Sequence, residues 1–230
     1  MSYRSLMMFH LKDYRRGALI LLSIFICVDT ALVLMMKFLP AWDMGTADNI
    51  FSVNRNIMSI FMIVSMIVTV AITFPLMSSF SVTRRNFYVS SLFALLAFCI
   101  TAALAETAVY LIGRAVLPSI GLPVDVDRPL LLSAYMFMLT LLDVSVATFL
   151  IGACFYRFRV IIGTLLAIVY FGSVALISQM FPSMEYMENF ALFSTDPAMF
   201  EPGTTLLLWG IIALCAGAGW MVYRRTDIRM

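Results

Sequence analysis

Six apolar stretches alternate with short polar ones along the chain, at residues 17–39, 57–77, 88–117, 129–154, 160–181 and 204–223. Each reaches the ~20 residues a helix needs to cross about 30 Å of hydrocarbon, so the pattern predicts an all-α polytopic membrane protein with six transmembrane helices. Residues 3–16 follow a different rhythm. Tyr3, Leu6, Met7, His10 and Tyr14 share one helical face, and Arg4, Lys12, Arg15 and Arg16 lie largely away from it. That predicts a short interfacial helix on the inner leaflet, the alternative being a frayed basic tail.

The polar gaps are predicted as loops at 40–56, 78–87, 118–128 and 155–159. Between the fifth and sixth spans, Met184, Met187 and Ala191 recur at helical spacing opposite Glu185 and Glu188, which predicts a short outer helix. Pro75 is expected to bend or end the second span. The third is too long for a perpendicular crossing, so it tilts or projects from the bilayer. The spans and loops consume residues 1–230 as a single domain.

Composition agrees with the periodicity. At 63% hydrophobic residues and a mean hydropathy of +0.99, the chain is far more apolar than the roughly 45–50% of soluble domains. The first apolar run follows a basic segment as a secretory signal would, but it has over 20 residues and no small-residue cleavage site, so it reads as a retained helix.

Charge adds orientation. With the N-terminus inside, Arg4, Lys12, Arg15, Arg16, Arg84, Arg85, Arg157, Arg159, Arg224, Arg225 and Arg229 fall on the cytoplasmic side, 11 of the 15 basic residues. Lys37, Arg55, Arg114 and Arg128 fall outside. Lys/Arg bias sets topology, so both termini are expected in the cytoplasm of a cell membrane. The net charge of +2 hides this separation and gives no reason to expect nucleic acid as a partner. Basic ends beside anionic lipid read as surface anchors. Trp42 and Trp209 fall near the outer boundary and Trp220 near the inner one, where amphipathic rings prefer to sit.

Catalytic signatures are sparse. Lys12 and Lys37 are the only lysines, neither in a glycine-rich loop, so the chain has no phosphate-cradling G-x-x-x-x-G-K-[ST] element. His10 is the only histidine, which excludes H-E-x-x-H zinc chemistry, and no G-x-S-x-G elbow occurs. Cys27, Cys99, Cys154 and Cys215 are scattered through the spans and read as reduced thiols rather than a disulfide or metal framework.

Asp29, Glu106 and Asp143 lie within apolar spans. An ionised acid at mid-helix costs roughly 2.5–3.5 kcal/mol on insertion scales, so each is expected to meet a partner, a cavity or a water path. They read either as a substrate path or proton relay, or as hydrogen-bonded acids that help helices pack. Tyr110, one turn from Glu106, is a candidate partner, and Thr140 and Ala147 flank Asp143 as a small stripe. Gly210, Ala213 and Gly217 form a second small face, read as a packing seam, within the chain or across a dimer, rather than a transport path. The eighteen methionines and nineteen phenylalanines are read first as core or lipid-facing, and second as a greasy cargo cavity.

The inner loop reads Ser81-Val82-Thr83-Arg84-Arg85-Asn86-Phe87-Tyr88, and the chain closes Tyr223-Arg224-Arg225-Thr226-Asp227-Ile228-Arg229. These segments resemble the glycine-x-[Ser/Thr]-Arg-[Lys/Arg]-x-[Phe/Tyr]-[Phe/Tyr] loop and the Tyr-x-Arg-x-Asp ending of small permease subunits of bacterial type 2 ABC exporters. Ser81 departs from the usual glycine. The resemblance implies two permease copies, alike or different, working with two separate ATPase subunits that hold the ATP and magnesium; this chain itself would bind no cofactor or metal. It also implies that residues 3–16 form an elbow helix, and that Thr83, Arg84, Arg85, Asn86, Phe87 and Tyr88 form the ATPase-coupling region. A membrane enzyme using Glu106 and Asp143, and a non-transporting sensor or immunity protein, are the other readings.

Overall fold

The structure, a computed structural model, describes residues 3–38, 48–80, 82–122, 129–180 and 202–224. Apart from short turns, these residues are helical: α1 Tyr3–Phe38, α2 Asp48–Val68, a π-helical turn Thr69–Thr73, α3 Phe74–Ser79, α4 Arg84–Val116, a 3-10 turn Leu117–Ile120, α5 Leu130–Met180 and α6 Pro202–Arg224. Among the described residues, five helices are long and apolar enough to cross a bilayer, and Val160–Ser173 adds a shorter apolar stretch.

α5 carries 51 residues of helical backbone, yet it cannot be straight. Tyr170 donates a hydrogen bond to Asp143 at 2.8 Å, whereas 27 residues of straight helix would hold them about 40 Å apart. A Cβ on Gly163 would likewise collide with the Phe155 ring, eight residues earlier. Both pairings centre on residues 157–159, so α5 is a helical hairpin that reverses within the gap expected at 155–159. The described side chain of Arg157 covers the bend, donating to the Val222 carbonyl at 3.2 Å.

The first arm of α5 is the axis of the bundle. Residues 141–149 are buried without exception, and α2, α4 and α6 pack around them. α1 lies at the edge, turning Leu6, His10, Tyr14, Leu21 and Phe25 inward at helical spacing while Leu19, Ile20, Leu22, Ile24 and Ile26 face out. On α2 the methionines Met58, Met62 and Met66 are core residues.

Three expectations change. Residues 3–16 are not a separate elbow: α1 runs unbroken to Phe38, and the shared face of Leu6, His10 and Tyr14 packs on α4, through His10–Ser91 at 3.4 Å and the Tyr14–Phe98 rings. The loop expected at 40–56 is helical from Asp48 onward. Of the two outcomes expected at Pro75, a bend or an end, the helix does not end there. Pro75 has no N–H to give, and the turn before it widens, the Phe74 N–H reaching back to Thr69. The outer helix expected over 182–203, Trp42 and the closing segment beyond Arg224 lie outside the described residues.

Candidate functional site

α1, α3, α4, α5 and α6 meet at the end of the bundle that carries Arg84, Arg157 and Arg224, here called the basic end. Thr83 caps α4 there, its hydroxyl accepting from the Asn86 N–H at 3.3 Å. Phe87 and Tyr88 turn inward, 1% and 4% exposed. Their rings join Phe74, Phe149, Tyr156, Trp220 and Tyr223 in a continuous set of edge, tilted and stacked contacts with centroids 5.0–6.2 Å apart.

Two residues of the Thr83–Tyr88 segment also grip α6. Tyr88 donates to the Ala216 carbonyl at 2.5 Å, and Arg84 to the Arg224 carbonyl at 3.3 Å. With Arg157 on Val222, basic side chains satisfy carbonyls of the last turn of α6, where the helix dipole is negative. Arg85 is exposed, and Asn86 contributes its backbone N–H to the cap. The close seam between α4 and α6 is made at Gly219, where a Cβ would stand 2.9 Å from the Tyr88 hydroxyl. Among the described residues nothing lies within 4 Å of a Cβ at Gly210 or Gly217, so the Gly210, Ala213, Gly217 stripe makes no close seam with them. Gly219→Val is expected to break the Tyr88–Ala216 bond and cost about 1–3 kcal/mol. Thermal unfolding in detergent micelles checks this, with Tyr88→Phe recovering part of the loss.

Each of the three acids singled out in the apolar spans has a partner. Asp29 on α1 accepts from Asn54 of α2 at 2.9 Å. Asp143 accepts from Tyr170 across the α5 hairpin. Glu106 on α4 accepts from the guanidinium of Arg55 of α2, at 2.7 Å from both Nε and Nη2. Both side chains are only 4% exposed. Arg55 also donates to Ser133 of α5 at 3.2 Å and lies 5.4 Å from the Phe137 ring centroid. Tyr110 packs its ring on Phe51. It lines, with Thr107, Leu130, Arg55, Glu106 and Ser133, a cavity of about 10 Å3, roughly the space of one water.

Arg55 is therefore a correction: expected on the outer surface, it is the buried cation of the bundle. Glu106 and Asp143 do not share a site. Ser133, beside the Arg55–Glu106 pair, lies ten residues before Asp143 on one helix, about 15 Å along its axis. Among the described residues no three His, Cys, Asp or Glu side chains converge. No family model, curated protein or solved structure matches the chain.

Proposed function

We propose that the chain is the membrane-spanning subunit of a bacterial ABC exporter, with six spans, both termini in the cytoplasm, and a separate ATPase acting on its basic end. The carrying observation is the attachment of the Thr83–Tyr88 segment. It caps α4, buries Phe87 and Tyr88 in the aromatic set, and holds α6 through Tyr88 and Arg84, so a force applied there reaches two helices together. Arg85 stands exposed beside it to meet acids of the partner. In this reading ATP closes the ATPase pair, the coupling segment moves, and a hydrophobic or amphipathic cargo leaves outward. A second permease copy completes the path. The short inner helix hairpins fit the same arrangement, and lipid covers the exposed Leu and Ile of α1 and α6.

The test is Arg84→Glu with Arg85→Glu, alongside Arg85→Glu alone, since Arg84 also supports α6. Insertion is expected to stay intact while ATP hydrolysis by the co-purified ATPase becomes uncoupled from export. Unchanged export in both variants would remove this segment from the mechanism.

A further inference from the structure

The two ends of the bundle are held together by different chemistry. At the basic end the packing of many rings joins five elements, and separating any two would expose large apolar area. At the far end polar joints run between the helices beside a smaller apolar cluster: Asp29–Asn54 ties α1 to α2, Trp209–Tyr135 ties α6 to α5 at 2.9 Å, and Arg55 joins α2 to both α4 and α5. Arg55 and Asn54 are neighbours in sequence, so one stretch of α2 carries the bonds to three other helices. Beside it lies the small polar cavity lined by Thr107, Tyr110 and Ser133.

Directional bonds between charged groups have a property that ring packing lacks. Once water reaches them, each group is solvated and the joint loses most of its strength, because solvent replaces the partner. A joint of this kind is stable while dry and separable when wetted, and it already borders a space the size of one water. Phe51 against Tyr110, with Leu117 and Ile50, forms a small apolar cluster, and Tyr110 also lines that space.

We propose that Arg55, Glu106 and Ser133 form a latch that holds α2, α4 and α5 together at the end opposite Thr83–Tyr88, and that its opening admits water between these helices. The latch rests on the export reading only for its role, in which it is the outward gate; its existence as an openable joint does not depend on that reading.

The test uses the full-length chain in its native cells, with its four cysteines replaced by alanine and Ser133→Cys as the reporter for a membrane-impermeant maleimide added outside. Ser90→Cys, fully buried and near the basic end, reports on general unfolding. Glu106→Gln is expected to raise Ser133→Cys labelling several-fold and leave Ser90→Cys unlabelled. The exchanged pair Arg55→Glu with Glu106→Arg is expected to restore protection. Equal labelling of Ser133→Cys with and without Glu106→Gln would overturn the latch, as would labelling of Ser90→Cys, which marks a pair that only holds the fold. Energised and ATP-depleted cells separate the two proposals: labelling that responds to Glu106→Gln but not to ATP keeps the latch and sinks the export reading.

Discussion

Glu106→Leu is expected to destabilise the bundle by roughly 3–5 kcal/mol, because it leaves the Arg55 guanidinium buried without its carboxylate. The double variant Arg55→Met with Glu106→Leu is expected to recover most of that loss. Both groups would then be apolar, and nothing charged would remain dry between α2, α4 and α5. The magnitude follows from burial: with each side chain 4% exposed, water cannot take the place of the missing partner unless the helices part. Ser133 and the Phe137 ring remain beside Arg55 in the single variant, but neither carries a negative charge. Thermal unfolding of the purified chain in micelles, followed by circular dichroism, reads both variants. A single variant as stable as the parent would mean that the far end of the bundle is wet.

Tyr223→Ala is expected to cost about 3–5 kcal/mol, the range for removing a large ring from a packed core. Tyr223 is 1% exposed and touches Phe74, Phe87, Tyr88 and Phe149 with centroids 5.0–6.2 Å away. Its loss opens a cavity where α3, α4, α5 and α6 meet. Tyr223→Phe separates packing from hydrogen bonding. The Tyr223 hydroxyl is buried and has no hydrogen-bond partner, so deleting it removes a desolvated polar group. The melting temperature of Tyr223→Phe is expected to equal or exceed that of the parent, while Tyr223→Ala falls well below it.

How far the sequence foretold these features depends on which physical signal each one leaves. Helices built on long apolar runs were legible because lipid demands length and hydropathy, and both are visible without coordinates. The reversal at 155–159 was legible too, as a basic break in an otherwise apolar run. The beginning of α2 was not. Asn54, Arg55 and Asn56 look like loop residues, and their polarity argues for water when each is read alone. What makes Arg55 a helix residue is Glu106, 51 positions away, and Asn54 similarly answers Asp29.

The three acids were singled out correctly as needing partners, since an isolated charge in hydrocarbon is costly. Asn54, Arg55 and Tyr170 each stand on another helix or arm, where the periodicity of the acid's own helix carries no trace of them. A usable signal is present: three acids in apolar spans call for donors elsewhere, and Arg55 stands two residues outside the predicted second span. On α6 the small residues were noticed at Gly210, Ala213 and Gly217, but the close approach occurs at Gly219. Periodicity identifies faces without saying which one a neighbour occupies.

The widened turn ahead of Pro75 has a consequence for phase. Met58, Met62, Met66, Val70 and Phe74 are all 2% exposed or less, a series of four-residue steps. An ideal α-helix advances about 100° per residue, so sixteen residues would carry Phe74 about 160° around the axis from Met58, nearly to the opposite side. The π turn at Thr69–Thr73 advances less per residue and takes back part of that rotation. The missing N–H of one imino acid thus works as a gear correction, keeping the lower rungs of this helix in step with its upper ones.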